Sequence, residues 1–372
     1  MNLLYIEPYY GDSHRNWIKQ FKSYSAHDID IIKLPGNKWK WRMHGGAISL
    51  AEQFIKQNKT YDLILCSDFL NLPVFKSLTA NYTSNIPFVM YFHENQIAYP
   101  WPNHDPDKKL ERDFHYYYIN QTSALVSDWS LFNSVYNKNS FLAGLEKYLQ
   151  KMPDNQNMNT IRQIDKKSSI LHLGCELKKF DIYKINQQNK IPNILWNHRW
   201  EYDKNPQLFF DSLFKIKKLN LDFNLIVLGE QFSRYPEIFD IAKKELSDEI
   251  IHWGYCESFE EYSKWLWKSD IIPVTSNQDF FGISIVEAVY CNSKPILPNN
   301  LAYPEIFDIS KNKKIFYNNE SDFFNQLHYE ILNFHSENSF SNEIARFDWT
   351  NMIRHYDKIF SKLKEKFSEK SQ

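Results

Sequence analysis

The sequence has little cysteine, little glycine and almost no net charge, and each shortage argues against a class of protein. Its four cysteines, Cys66, Cys175, Cys256 and Cys291, lie far apart without a CxxC pair, so neither a zinc knuckle nor a disulfide framework is indicated. The nine glycines contain no G-x-G-x-x-G, which argues against a nicotinamide dehydrogenase. With 44 basic residues, 45 acidic residues and a net charge of −1, any nucleic-acid partner needs a local basic patch.

Long apolar runs are also missing. No uninterrupted apolar segment is long enough to cross a bilayer, and the opening residues MNLLYIEPYY lack the basic leader and apolar length of a signal peptide. We therefore predict a protein of the reducing cytoplasm without membrane contact, and we infer no obligate protein partner. Aromatic residues are abundant at 17%. Most are expected in ordinary packing, although some could stack on bases or sugars.

Strand-like and helix-like segments alternate through both halves of the 372 residues, a length that suits two domains. Strand-like runs such as YDLILCS and FNLIVLG are apolar without alternation, which indicates parallel sheets covered on both faces. We predict an α/β protein with domains over 1–180 and 193–346, a polar linker over 181–192, and an amphipathic C-terminal helix over 347–372 packing back on the body. Doubly wound domains bind ligands at the carboxyl ends of their strands, so we expect the ligand between the two.

Two carboxylates, Asp279 and Glu287, stand in the segment DFFGISIVEAV. The preceding DIIPVTS is typical of a strand, and a helix is predicted to begin near Gly282, where free N–H groups and the positive helix end would face an anion. Glycine lets a ligand approach the backbone, which makes Phe280, Phe281 and Ile283 further candidate contacts. Each carboxylate can accept the hydroxyl hydrogen bonds of a sugar or ribose. A purely structural role for both acids, at the helix start and on the helix, is the alternative.

Two other loops of the second half carry candidate ligand contacts. In NHRWEYDKNP, Arg199 and Lys204 follow a strand and suit a diphosphate, since Arg grips oxygens with a fork and Lys acts as a point charge. A solvated loop with surface cations would look the same. In HWGY, the backbone at Gly254 and Tyr255 could meet the rim of a base.

RWEYDK followed by DFFGISIVEA resembles the donor half of retaining glycosyltransferases of the GT-B fold, the group 4 family. The resemblance implies two facing Rossmann-like, doubly wound domains. It also implies that Arg199 and Lys204 hold the donor diphosphate, that Asp279 contacts the transferred sugar, and that Glu287 binds the ribose. The chain departs from the family at Asp279, where Glu is usual, so the loop or the donor must sit slightly closer.

Further motifs, in matching order over nearly the whole chain, resemble the tRNA-queuosine mannosyltransferases. They are IEPYYGDSH, LPGNKWKWR, YFHENQIAYP, ERDFHY, FNSVYN, HRWEYDKNP, VLGEQF, HWGY, DFFG, VEAVYC and YPEIF. The residue patterns alone indicate a sugar-nucleotide transferase. The resemblance adds the donor, GDP-mannose, and the acceptor, the cyclopentenediol of queuosine at the tRNA wobble position. We predict no cofactor and no required metal, because Arg199 and Lys204 already supply the charge that a metal would.

HENQ closes a strand of the first half and should face the ligand. The wider family has a histidine there near the C6 hydroxyl of the sugar and the reaction centre, which implies a catalytic role for His93. Glu94 could orient it, and Asn95 beside it is a candidate acceptor contact. Gly11 would let its loop approach the donor phosphate, whereas His14 could be only a surface residue. A structural role for His93 is the alternative.

KWKWR alternates cations and indoles, which suits a nucleic-acid backbone and a stacked base. We therefore predict that the acceptor is contacted by Lys38, Trp39, Lys40, Trp41 and Arg42. A strand with one buried tryptophan face is the alternative, with the following helix expected only over Ile48–Ile55.

ERDFHYYY adds Arg112 and Asp113 as a possible acceptor rim. Asp105 and Asp107 are not expected to bind a metal, because their loop lacks a strand context. Two other functions stay open at this point, a hexosyltransferase of the same fold acting on a lipid or polysaccharide and a non-catalytic tRNA-binding module.

Overall fold

The computed structural model describes residues 1–101, 105, 107, 110, 113–185, 188–335 and 340–368. The chain divides into two compact units. Unit 1 contains Met1–Cys175 and the C-terminal segment from Trp349, and unit 2 contains Glu176–Asp348. The sequence predicts that the first domain ends at residue 180, five residues after the observed boundary at Cys175. It also predicts the C-terminal helix as a separate segment, whereas the structure assigns that helix to unit 1.

Unit 1 is built on a six-stranded parallel sheet with the strand order β2-β1-β3-β4-β5-β6. The strands are β1 Asn2–Tyr10, β2 Asp28–Pro35, β3 Leu63–Ser67, β4 Phe88–Phe92, β5 Trp129–Phe132 and β6 Ser168–Ile170. Every residue of β3 and β4 is buried, as expected of strands covered on both faces. The strand order reverses between β1 and β3, which marks the switch point where doubly wound sheets bind ligands.

Helices cover both faces of this sheet. They are α1 Asp12–Tyr24, α2 Trp39–Gln57, α3 Leu72–Leu78, α4 Ala80–Thr83, α5 Asp113–Val126, α6 Val135–Leu149, α7 Asn159–Lys166 and α15 Trp349–Ser368. The C-terminal helix α15 packs on α1, where Trp349 stacks on Phe21 at 6.0 Å between ring centroids. Its indole N–H also donates to Gln20 Oε1 at 2.8 Å. The prediction that this helix packs back on the body is confirmed.

Helix α2 begins nine residues before the predicted Ile48, at Trp39. KWKWR is therefore mostly the first turn of a helix, and the alternative of a strand is wrong. Lys38 precedes the helix in the left-handed conformation, with φ 53°. Trp39 takes part in an aromatic cluster with Phe69 and Tyr116, a long-range contact that local periodicity does not reveal.

Unit 2 repeats the architecture with the strand order β12-β11-β10-β7-β8-β9. Its strands are β7 Asn193–Asn197, β8 Asn224–Leu228, β9 Ile250–Trp253, β10 Ile271–Pro273, β11 Lys294–Pro298 and β12 Phe316–Tyr317. All the recorded strand pairs are parallel. This is the dinucleotide-fold order, whose switch point lies between β7 and β10.

The helices of unit 2 are α8 Pro206–Lys218, α9 Ile238–Glu245, α10 Phe259–Lys268, α11 Ile283–Tyr290, α12 Tyr303–Ile306, α13 Glu320–Leu332 and α14 Ser341–Ile344. The core on one face of the sheet is rich in aromatic rings, and Trp200 stacks on Phe239 at 4.4 Å. Much of the aromatic excess therefore serves packing. Within the described part of the chain, no helix has the length and apolar character to cross a membrane.

Candidate active site

In unit 2 the loops after β7 and β10 flank the switch point and carry most of the predicted donor residues. The loop after β7 contains His198 and Arg199 and continues into a short 3-10 helix, Tyr202–Lys204. Thr275 Oγ1 donates to the main-chain oxygen of Lys204 at 2.9 Å, and Asn277 N donates to that of Asp203 at 2.8 Å. These bonds hold the two loops against each other.

Lys204 and Asp279 form a direct ion pair at this junction. Lys204 Nζ lies 3.1 Å from Asp279 Oδ1 and 3.2 Å from Asp203 Oδ2, and it donates to the main-chain oxygen of Gln278 at 2.6 Å. Burial alone would lower the pKa of Lys204, but the carboxylates of Asp279 and Asp203 outweigh it and raise that pKa. The site therefore contains a buried, charged ammonium group.

Asp279 is held on both oxygens, because Tyr303 OH donates to Oδ2 at 2.5 Å. Burial raises the pKa of Asp279, yet the charge of Lys204 and the hydrogen bond from Tyr303 together bring it below its ordinary value, so the group is an ionised carboxylate. Sequence reasoning missed Tyr303. It stands in the motif YPEIF, which carried the resemblance but had no role assigned to it.

Gly282 precedes α11 with φ 85°, a backbone conformation that glycine adopts without strain. A Cβ at this position would lie 3.0 Å from the Tyr303 ring. The N-cap residue Gly282 gives α11 no side-chain cap, so the helix presents its first N–H groups and positive end beside Asp279. The predicted helix start is confirmed. Phe280 and Phe281 are buried, which leaves only their backbone for a ligand, and Ile283 opens the helix.

Glu287 is half-buried on α11, and Tyr262 OH donates to its Oε2 at 2.7 Å. Burial raises the pKa of Glu287 to about 7 even though the Tyr262 hydrogen bond lowers it. Asn197, at the end of β7, donates to Tyr262 OH at 2.9 Å and to the main-chain oxygen of Ser284 at 2.8 Å. This acid therefore changes its charge near neutral pH, whereas Asp279 does not.

Arg199 is placed differently from Lys204. Its side chain is 46% exposed and pairs with Glu201 at 3.1 Å. Its neighbour His198 is buried, and Nε2 of His198 has no hydrogen-bond partner among the described residues. Burial lowers the pKa of His198 to about 4, so the ring is neutral. His198 belongs to the quoted motif HRWEYDKNP, which assigned it no role, and its strand-end position was the signal that sequence reasoning overlooked.

At the end of β9, Gly254 has φ 127°, and a Cβ added there would meet no atom of the described residues within 4 Å, apart from its chain neighbours. Tyr255 is 62% exposed. Nearby, donor atoms of His252, Cys256 and Glu261 all lie within 4.8 Å of one another, a spacing that could hold a metal ion. Burial raises the pKa of the Cys256 thiol to about 11, so a metal would have to displace a proton. The expectation that no metal is needed stays a prediction.

In unit 1 a second polar cluster lies at the carboxyl ends of β1, β3 and β4. Its central residue, Glu7, accepts hydrogen bonds from Tyr5 OH at 2.7 Å, Ser67 Oγ at 2.8 Å and Tyr9 N at 2.9 Å. His14 Nδ1 also lies 2.9 Å from Glu7. His14 is only 5% exposed, so the interpretation of His14 as a surface residue is wrong. Its helix turns it towards the sheet.

The rings of His14 and His93 lie against each other at an angle of 35° and differ in charge state. Burial lowers the pKa of His14, but the carboxylate of Glu7 raises it to about 9, so His14 is an imidazolium at neutral pH. Its ring centroid lies 4.2 Å from that of His93. Burial and the charge of His14 both lower the pKa of His93, which keeps His93 neutral.

The other predicted residues of unit 1 have local partners. Asn95 is fully buried, donates to Asn137 Oδ1 at 2.8 Å and accepts from Ala98 N at 2.8 Å, which disfavours the predicted acceptor contact. Glu94 accepts from Gln96 Nε2 at 2.6 Å. Gly11 lies against Gly36, where an added Cβ would come within 2.5 Å of the Gly11 Cα. Loop packing therefore requires glycine at position 36, whereas a Cβ at position 11 would lie 3.3 Å from the Gly36 Cα.

KWKWR is mostly engaged within unit 1. Lys40 pairs with Asp105 at 2.7 Å and Asp107 at 2.5 Å, so these two acids hold a lysine. Arg42 donates to Pro35 O and Asn37 Oδ1. Lys38 and Trp41 are the exposed members, and Trp41 is 63% exposed. Arg112 and the side chain of Asp113 lie outside the described residues.

Comparison with known proteins identifies the family. Residues 2–175 match a family model described as the N-terminal part of tRNA-queuosine alpha-mannosyltransferase, and residues 178–341 match one described as glycosyl transferases group 1. A curated tRNA-queuosine alpha-mannosyltransferase of Drosophila melanogaster is 34% identical over 315 residues. The alignment covers 82% of this chain and 81% of that relative.

Solved structures match the chain at lower identity. Sucrose-phosphate synthase from Thermosynechococcus elongatus has a TM-score of 0.72 at 12% identity and covers 98% of this chain and 99% of its own. HepE of Anabaena, solved with UDP, has a TM-score of 0.66 at 13% identity, with 97% and 100% covered. These structures support the fold, and the curated relative supports the family. The chain belongs to the tRNA-queuosine alpha-mannosyltransferases, glycosyltransferases of the GT-B fold.

Proposed function

We propose that this protein transfers mannose from GDP-mannose to the cyclopentenediol of queuosine at the wobble position of tRNA, with retention of configuration at C1. Family membership supports the acceptor and the sugar. The observation that carries the donor chemistry is the buried Lys204–Asp279 pair beside the uncapped start of α11. It combines a fixed cation, a fixed carboxylate and free N–H groups in one loop junction.

Charge builds on the diphosphate as the C1–O bond of the donor breaks. Lys204 is charged and buried, so it needs little reorganisation to stabilise that charge. The N–H groups at the start of α11 can bind phosphate oxygens. Arg199 lies on an exposed loop. On donor binding its guanidinium would exchange Glu201 for the phosphate and bind the phosphate oxygens with its forked N–H groups. These three elements form the proposed leaving-group site.

Asp279 is proposed to accept hydroxyl hydrogen bonds from the sugar. Lys204 and Tyr303 each occupy one lone pair of its two oxygens, and a carboxylate has about four acceptor positions. Asp279 therefore keeps acceptor positions for the sugar. Its two partners also fix this side chain, which is shorter than the Glu usual in the family. Glu287 is proposed to accept the two ribose hydroxyls, which it does best when ionised.

Retention of configuration requires the acceptor to attack from the face that the diphosphate leaves. In the proposed step the acceptor oxygen bonds to C1, the C1–O bond to the diphosphate breaks, and the acceptor proton passes to the departing phosphate oxygen. No separate protein nucleophile is invoked. His93, neutral and buried in unit 1, is proposed as the residue of that unit that contacts the reacting sugar.

The test uses purified protein, labelled GDP-mannose and two matched tRNA preparations, one with queuosine and one with guanosine at the wobble position. We expect label in the queuosine tRNA alone, and nuclease digestion should recover mannosyl-queuosine with an α linkage. Equal labelling of both tRNAs, or labelling of neither, would contradict the proposal.

A further inference from the structure

Asp68 is a buried carboxylate that the proposed reaction does not yet use. It follows β3 at the switch point of unit 1 and is 1% exposed. Its Oδ1 accepts from His93 N at 3.1 Å, and its main-chain oxygen accepts from Asn120 Nδ2 at 2.9 Å. Among the described residues, its Oδ2 has no hydrogen-bond partner. An unsatisfied buried carboxylate oxygen is costly, so its presence points to a ligand.

A second unsatisfied atom lies on the neighbouring strand end. His93 Nε2 is buried and has no hydrogen-bond partner in the described part of the chain. Since His93 donates its main-chain N–H to Asp68, the two side chains belong to one rigid junction between β3 and β4. These two unsatisfied polar atoms therefore lie at the carboxyl ends of adjacent strands, which is where doubly wound sheets bind their ligands.

The charges of the cluster favour a cationic ligand. Glu7 is satisfied by its four donors, and the imidazolium of His14 pairs with it directly. Among the residues that the structure describes, Asp68 forms no ion pair of this kind. Burial raises the pKa of Asp68 well above its ordinary value, and the charges of Glu94 and Glu7 add to the rise, although His14 opposes it. The site therefore disfavours an isolated carboxylate anion. A cationic donor that forms a charge-assisted hydrogen bond with Oδ2 would stabilise that anion.

We propose that Asp68, with His93 beside it, binds the secondary ammonium group that joins the cyclopentenediol of queuosine to its base. This inference rests on the proposed function. The ammonium is a cationic donor with two N–H groups, which suits Asp68 Oδ2, and a hydroxyl of the adjacent diol can donate to the neutral His93 Nε2. Guanosine has no such arm, so the contact would select the modified base. Because both side chains are buried, binding requires a neighbouring side chain to move aside.

The first test is Asp68→Asn, which keeps the size and the Oδ1 acceptor but removes the charge. The matched control is Asp128→Asn, since Asp128 Oδ2 accepts from Phe88 N at 2.8 Å at the opposite end of β4. We expect Asp68→Asn to lower kcat/KM for queuosine tRNA by roughly 10- to 100-fold, mainly through KM, with GDP-mannose affinity unchanged. An unchanged KM, or an equal loss in the control, would overturn the inference.

The second test identifies the group, and its first comparison uses the wild-type protein alone. Three tRNAs are compared for binding to the wild-type protein: one with queuosine, one with guanosine, and one with 7-aminomethyl-7-deazaguanine, which has the amine without the ring. We expect the aminomethyl tRNA to bind more tightly than the guanosine tRNA, and Asp68→Asn to abolish that preference. If wild type binds the aminomethyl and guanosine tRNAs equally, or if the variant keeps the same preference, the amine contact is overturned. Asp68 would then bind a hydroxyl or a water, or have only a structural role.

Failure of this inference and failure of the proposed function give different results. If wild type does not label queuosine tRNA, the proposed transfer is wrong, and the binding ratio of the aminomethyl and guanosine tRNAs still decides the subsite. If wild type labels queuosine tRNA but binds the aminomethyl and guanosine tRNAs with equal affinity, only the Asp68 contact is wrong.

Discussion

Lys204 Nζ and Asp279 Oδ1 lie 3.1 Å apart although 75 residues separate them in sequence. The pair joins the loops after β7 and β10, whose strands are neighbours in the sheet. It places a buried cation next to the carboxylate proposed to hold the sugar. The charge on each side chain keeps the other ionised, so the junction is prepared before a donor binds.

Arg199→Ala should lower turnover by roughly a hundred-fold or more, a loss of about 3–4 kcal/mol in transition-state stabilisation. The side chain is exposed and contacts Glu201, so the fold should survive its removal. Initial rates with GDP-mannose and queuosine tRNA measure the effect, and Arg162→Ala, an exposed arginine of α7, is the control. Near-normal turnover in folded Arg199→Ala would remove this residue from the leaving-group site.

Tyr303→Phe should reduce turnover by roughly 10- to 100-fold, because Asp279 loses a hydrogen bond to an ionised oxygen, worth about 1.5–3 kcal/mol. The ring that packs on Gly282 is retained. The control is Tyr235→Phe, which removes an exposed hydroxyl–carboxylate bond to Asp240. If both variants show the same rates as wild type, Tyr303 does not position Asp279.

Binding of GDP-mannose should strengthen as pH rises through the pKa of Glu287, which burial raises to about 7. Below that pH the carboxyl is protonated and loses acceptor capacity for the ribose, and above it the group is ionised. Calorimetry between pH 6 and pH 8 should show affinity rising by up to about tenfold. In Glu287→Gln the slope should vanish, and an unaltered slope would assign the pH dependence to another group.

The His14–Glu7 pair should stabilise unit 1 only while His14 is protonated. The pKa of His14 is raised to about 9 from 6.5, so its contribution is fully present below about pH 6.5 and is lost as pH rises through about 9. His14→Gln should therefore lower the free energy of unfolding by roughly 3 kcal/mol at pH 6 and by much less at pH 10. Chemical denaturation measures this, with the exposed His355→Gln as the control. A pH-independent difference would argue against the ion pair.

GDP-mannose binding should be unaffected by excess EDTA, since Lys204, Arg199 and the start of α11 supply the positive charge for the diphosphate. Calorimetry with and without EDTA measures this directly and avoids the dependence of tRNA folding on magnesium. A loss of affinity that Cys256→Ser reproduces would instead assign a metal to the group formed by His252, Cys256 and Glu261.

Much of the fold was predictable because its signals are local. Unbroken apolar runs predicted buried parallel strands, and the glycine before ISIVEAV predicted the start of α11. Of the residues proposed for the donor site, Lys204 was selected from its charge and its position after a strand, and Asp279 and Glu287 as the carboxylates before and within a predicted helix. Helix α2 was predicted too short, because the contacts that hold Trp39 come from Phe69 and Tyr116, far along the chain.

The sequence by itself determined which segments are strands and helices and which loops follow the strands, because periodicity, glycine and helix ends act over a few residues. Only the tertiary structure decided the pairings: Tyr303 with Asp279, His14 with Glu7, Lys40 with Asp105 and Asp107. Those contacts join residues brought together by strand order and helix packing. The charge of a buried group depends on such neighbours, and no local pattern records them.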